Sequence, residues 1–112
     1  MGIYRLYTGD DGQSHIDDLD LESNEELKSP LATKSIVFST WPPGHFIDWH
    51  PAPRRQYVIL LSGRLEIGLG DGTARRFGPG DARLVEDTSG QGHTTRVVSD
   101  EPTVMAVVPL AD

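Results

Sequence analysis

The stretch Gly44–Gly63, GHFIDWHPAPRRQYVILLSG, decides how the rest of the chain is read. It divides into two short extended runs joined by a bend at Pro51-Ala52-Pro53. In the first run, strand alternation puts His45, Ile47 and Trp49 on one face and Phe46, Asp48 and His50 on the other. The bend can break that count, so either Arg54 or Arg55 reaches the mouth of whatever the run encloses. In the second run, Tyr57 to Leu61 is apolar at every position. A strand of that kind is covered on both faces, by the interior on one side and by something outside on the other.

Working outward, short β-prone runs bounded by turn residues recur along the whole chain. Ile3 to Tyr7 and Ser14 to Leu21 read as strands about the turn at residues 9–12. The second carries Asp17, Asp18 and Asp20 and reads as an edge strand whose charges discourage pairing with other chains. Ser23 to Glu26 reads as one helical turn capped by Ser23 and closed by Pro30. Thr33 to Thr40 reads as a further strand. Arg64 to Leu69 alternates polar and apolar, and Asp71-Gly72 turns it back toward Ala74 to Phe77. Ala82 to Glu86, His93 to Ser99 and Thr103 to Val108 complete the set, with a loop at residues 87–92. About ten short strands without a long helix or a repeat predict an all-β jelly roll or small barrel.

Two spacings in this chain are similar to the motifs of the cupin superfamily. In the first motif a Gly is followed by His, a second His two residues on, a Glu and a closing Gly. Gly44, His50 and Gly63 stand at those positions, whereas Ala52 replaces the second His and Gln56 the Glu. The second motif is met by Gly80, Gly90 and His93. Thr88 stands where that motif has Pro, and Val97 where it has Asn. The interval from Gly80 to Thr88 is long, which enlarges the loop at residues 87–92. The resemblance implies a single-domain, cupin-type jelly-roll β-barrel over residues 1–112. Strands of residues 1–40 would pack on a roll whose core motifs lie at 44–63 and 80–97.

The resemblance also implies a cavity that His50, Gln56 and His93 enter from neighbouring strands. Parity adds Phe46, Asp48, Val58, Leu60, Thr95 and Val97 to its inward faces. In typical cupins three His and one Glu hold a divalent ion there and leave positions open for substrate or dioxygen. Carried over, the donor set is His50, Gln56 and His93. An amide oxygen is a neutral, weaker donor and Ala52 donates nothing. Zn, Ni, Fe or Mn on this set and no metal at all therefore both stand open, with Asp48 as a further donor.

Three functions follow. The first is a small-molecule-binding module whose apolar pocket (Phe46, Val58, Leu60, Val97) is anchored by His50, Gln56 and His93. The second is an enzyme acting on a small polar metabolite. With metal it would be of dioxygenase, isomerase or decarboxylase type. Without metal it would be of epimerase type, with His50 or His93 as base and Asp48 as the orienting carboxylate. Tyr57 is the nearest acid for that chemistry, but parity turns it outward. The third is structural: cupins commonly pair through their sheets, so the resemblance implies a homodimer built on Tyr57 to Leu61.

Other groups read as ordinary scaffold. His15 and His45 are surface or edge residues, Glu86 and Asp87 form a solvated loop shoulder, and Arg96 points outward.

Composition narrows the field further. The 112 residues hold 10 basic and 17 acidic side chains, a net charge of −7. An acidic chain without a basic or aromatic stripe is not built for nucleic acid or an anionic membrane. No apolar run reaches the roughly 20 residues of a membrane span. The chain has no cysteine, which excludes disulfides and thiolate sites. The first residues lack the charged start and apolar run of a secretory signal, so a cytoplasmic location is the expectation.

Overall fold

The structure is a computed structural model that describes residues 2–112. Ten strands follow one another: β1 (Ile3–Thr8), β2 (Ser14–Leu19), β3 (Val37–Trp41), β4 (Phe46–His50), β5 (Gln56–Ser62), β6 (Leu65–Gly68), β7 (Ala74–Phe77), β8 (Ala82–Val85), β9 (His93–Val97) and β10 (Thr103–Pro109). One 3-10 turn, Glu25–Lys28, lies between β2 and β3. It begins later than the sequence predicts, because Ser23 donates its hydroxyl to Asp20 Oδ2 at 2.8 Å rather than capping the turn.

The strands form two sheets, in the orders β2-β1-β8-β5-β10-β3 and β4-β9-β6-β7. This is the expected jelly roll, with the sheets packed face to face and not joined into one closed barrel. A single apolar cluster fills the space between them, drawing Leu6, Val58 and Met105 from the larger sheet and Leu65, Ile67 and Phe77 from the smaller. Each such side chain contributes about 1.5–3 kcal/mol by leaving water. The chain's N-terminal hairpin joins the larger sheet through a parallel pairing of β1 with β8. β2 is an edge strand, as its acidic residues predict, and Asp18 reaches Arg75 Nη2 at 3.0 Å.

β5 is covered on its inner face as its sequence predicts, whereas its outer face is only partly covered. Val58 and Leu60 are buried between the sheets, whereas Leu61 on the outer face is 49 % exposed. β10 lies beside β5, and β3 beside β10 at the sheet's edge. None of these three strands carries a charged residue, in a chain where 24 % of residues are charged.

The loop at residues 87–92 is held against β4. Ala52 N–H donates to the Asp87 carbonyl at 2.9 Å. Gly92 has φ +78, and a Cβ there would overlap the His50 carbonyl oxygen. Only glycine permits both the left-handed backbone and this approach. Gly72 has a similar φ of +87 with open space around it. Gly92→Ala is therefore expected to cost well over about 1 kcal/mol and clearly more than Gly72→Ala, as read from urea midpoints at constant slope. Equal losses in the two variants would mean that the contact with His50 carries no weight.

Candidate functional site

A cavity of about 120 Å³ lies between the sheets. The larger sheet lines it with Trp41, Gln56, Val58, Arg83, Val85 and Met105, and the smaller with His50, His93 and Thr95. Ala52 and Pro53 of the bend complete the wall.

His50 gets there through an irregularity in β4. Ile47 pairs with Thr95, and His50 pairs with His93, so three steps on β4 match two on β9. This is a β-bulge, with Asp48 and Trp49 sharing the extra length. Side chains satisfy the backbone groups it disturbs. Trp49 N–H donates to Asp48 Oδ1 at 2.9 Å, and His50 Nδ1 lies 2.7 Å from the Asp48 carbonyl oxygen. A carbonyl only accepts, so Nδ1 carries the proton and Nε2 keeps its lone pair.

His93 is fixed in the same sense by a carboxylate. Its Nδ1 lies 2.6 Å from Asp87 Oδ2, which also accepts the Ser14 hydroxyl at 2.6 Å. His93 is 4 % exposed and Asp87 is fully buried. Asp87 Oδ1 has no hydrogen-bond partner among the described residues. Across the cavity wall the His50 and His93 rings stand 4.6 Å apart between centroids, inclined at 54°.

Arg83 is the third polar group. It pairs with Val58 across β8 and β5, which turns its side chain inward, and it is 6 % exposed. Its guanidinium lies 5.2 Å from the Phe77 ring centroid. No described residue accepts a hydrogen bond from it. Burial lowers its pKa to about 10, opposed by the charges of Asp87 and Asp81. It is still a cation at neutral pH. A base whose folded pKa lies below its unfolded value weighs against folding wherever it is protonated, here at all pH below about 10. No residue lining the cavity is acidic.

Several sequence expectations change here. Parity had placed Phe46 and Asp48 inward, but the bulge reverses the phase before it. Ile47 faces Thr95, whereas Phe46 is 42 % exposed beneath the Arg96 guanidinium and Asp48 is exposed. Neither Phe46 nor Asp48 lines the cavity, so Phe46 is no pocket wall and Asp48 no metal donor. The carboxylate that orients an imidazole is Asp87, expected as a solvated shoulder, whereas Asp48 acts on His50 through its main-chain carbonyl. Val58 lines the cavity; Leu60 and Val97 are buried, at 2 % each, but belong to the closed core beside it. Gln56 lines the cavity and accepts a hydrogen bond from Arg54 Nη1 at 3.2 Å, so Arg54 is the arginine at the rim. Arg55 turns away to Glu86 and Asp112. Tyr57 lies outside the cavity, as parity predicts.

Arg83 and Asp87 were the residues missed. Their signal is a period of two through residues 81–87, in which Asp81, Arg83, Val85 and Asp87 are all buried. Val58, already placed inward, sets the phase through its pairing with Arg83.

The donor set does not fit the divalent ion of typical cupins. Among the described residues no group of three His, Cys, Asp or Glu side chains could hold a metal. His50 and His93 offer two imidazoles, Ala52 presents a methyl group, and Gln56 offers a neutral oxygen that already accepts one hydrogen bond from Arg54. A permanent cation, Arg83, shares the cavity and would repel a dication.

The description "Cupin domain" matches residues 37–109, which is more than half of the chain. The chain belongs to the cupin domain family. Among solved structures it is similar to a Cupin 2 conserved barrel domain protein from Salinispora arenicola, at 26 % identity and a TM-score of 0.52 over 65 % of this chain and 59 % of that one. It is similar to a conserved protein of unknown function from Streptococcus pyogenes, at 23 % identity and a TM-score of 0.52 over 69 % of this chain and 63 % of that one. The DMSP lyase DddQ from Ruegeria pomeroyi matches at 22 % identity and a TM-score of 0.54, over 69 % of this chain and 38 % of that one. The chain thus spans less than two thirds of each of these three, and the likeness is one of fold. No curated protein matches it. No helix among the described residues is long and apolar enough to cross a membrane.

Two results are expected. Purified protein dialysed against a chelator keeps its melting midpoint and carries no stoichiometric Fe, Mn, Ni or Zn by elemental analysis; metal that survives dialysis one to one contradicts the donor-set argument. Asp87→Ala strands the Ser14 hydroxyl and the His93 Nδ1–H, each at a cost of about 1–3 kcal/mol, so its unfolding free energy should fall by at least that much.

Proposed function

We propose that this cupin domain binds a small molecule in the cavity between His50, Gln56 and His93 without the help of a metal ion. The observation that carries the reading is the shared tautomer of the two imidazoles. Both commit Nδ1 to a protein acceptor, at 2.7 Å and 2.6 Å, which leaves both Nε2 atoms as acceptors for a ligand. Apolar wall from Trp41, Val58 and Met105 around a few convergent polar groups is the usual make-up of a ligand site.

A second reading, acid–base catalysis on the bound molecule, is favoured by the pairing of Asp87 with His93. A buried carboxylate on Nδ1 stabilises the imidazolium formed when Nε2 takes a proton, and it holds the ring still meanwhile. His50, oriented only by a main-chain carbonyl, lacks that support and serves as a hydrogen-bonding partner. His93 is therefore the base of this version, and no outward-facing residue such as Tyr57 is needed for it.

We also propose that two copies pair through the outer face of β5, β10 and β3. The exposed Phe38 and Leu61, at 64 % and 49 %, and the absence of charge on all three strands support this.

Ligand binding is testable without knowing the natural ligand. A fragment screen by heteronuclear NMR should give hits that shift the His50 and His93 ring signals together, and His50→Ala with His93→Ala should abolish them while the fold persists. Hits that shift neither ring would remove the site from this cavity. For the pairing, light scattering should report a dimer that Phe38→Asp with Leu61→Asp converts to a folded monomer. A monomeric parent protein ends that proposal.

A further inference from the structure

Arg83 is 6 % exposed, lines the cavity, and makes no hydrogen bond or ion pair with a described residue. A buried guanidinium carries five donors and desolvation is costly for it, so it ordinarily has a partner. Its side chain could have packed as a hydrophobe between Val58 and Val85 at no such cost. From this cation, whose one ring contact with Phe77 leaves its donors unused, we infer that the ligand of the cavity is a small carboxylate, docked on the Arg83 guanidinium. The inference rests on the cavity being a ligand site, and it names the chemical class that the site takes.

Three observations support the class. The walls contain no acidic side chain, although the chain has 17 acidic residues. Arg54 sits at the rim with Gln56, so an approaching anion meets one guanidinium outside and another within. The remaining wall is mainly apolar, from Trp41, Val58, Val85 and Met105, with Ser39 and Thr95 as its hydroxyl groups, which suits a hydrocarbon tail better than the polar oxygens of a phosphate. A planar guanidinium also matches a carboxylate with two parallel hydrogen bonds.

Size sets the limit. A dry cavity of about 150 Å³ admits benzene, so this cavity of about 120 Å³ takes a ligand of about six non-hydrogen atoms. Short-chain carboxylates are of that size. Asp87 lies close enough to influence Arg83, but both hydrogen bonds to its Oδ2 come from Ser14 and His93. It offsets part of the charge and does not satisfy the donors.

The experiment titrates the intact protein with butyrate, butyramide and inorganic phosphate in chelator, following binding by calorimetry and by NMR. Saturable butyrate binding, with butyramide and phosphate at least tenfold weaker, is the expected result. Arg83→Met should weaken butyrate at least tenfold. Its melting midpoint without ligand should equal or exceed that of the parent, because a buried charge has been removed. Butyramide binding as tightly as butyrate overturns the carboxylate inference and leaves the ligand site standing. Phosphate binding in preference to butyrate also overturns it. No binding of any probe counts against both the inference and the site. A melting midpoint that drops sharply in Arg83→Met, with butyrate and butyramide indistinguishable on the parent, assigns Arg83 a structural role and overturns the inference.

Discussion

The bulge at Asp48 and Trp49 is the constraint on which the site depends. Ile47 faces the interior opposite Thr95, and a regular strand would then turn His50 to the opposite face. One extra residue restores the inward phase, and His50 arrives beside His93. The irregularity is secured locally, since Asp48 and His50 themselves bond the backbone groups that the ladder leaves free. The Asp87–Gly92 loop, pressed on the His50 carbonyl, holds the same point from the other sheet strand. His50 is thus positioned by backbone geometry, whereas His93 is positioned by a carboxylate.

Two departures from the usual cupin ligand set and one buried cation act in the same direction. Ala52 supplies no imidazole, Gln56 supplies no negative charge, and Arg83 supplies a positive one. Each lowers the affinity of the cavity for a cation. The scaffold around them is set by an apolar cluster in which Leu65, Ile67 and Phe77 lie outside the cavity lining and Val58 and Met105 form part of it.

Most of the fold was legible in the sequence because strands announce themselves by period and by the turns between them. Nine of the ten strands lie where short β-prone runs predict them, and β3, Val37–Trp41, keeps only the second half of the run expected at Thr33 to Thr40. The covered inner face of Tyr57 to Leu61 and the charged edge at Ser14 to Leu19 were equally readable. The site was less so. Parity is reliable only within an unbroken strand, and the single break in β4 misplaced Phe46 and Asp48. A spacing motif also carries information only at its own fixed positions: Ala52 and Gln56 read as losses, whereas Arg83 stands at a variable position inside the 80–97 motif. Asp87 looked solvated because it begins a glycine-rich loop, yet the alternation of β8 runs on into it.

Asp81, Arg83 and Asp87 are buried charges of this region, and the last two keep unused hydrogen-bonding groups among the described residues. Asp87 Oδ1 lacks a donor there and the Arg83 guanidinium lacks an acceptor, although the charges of Asp87 and Asp81 offset part of the burial penalty on Arg83. Had stability alone shaped the region, the shortest remedy would be a direct ion pair between Arg83 and Asp87. Instead the carboxylate is turned to Ser14 and His93, and the guanidinium is left facing the cavity. Holding two opposite charges near each other but unjoined costs stability, a cost that the proposed carboxylate on Arg83 would offset.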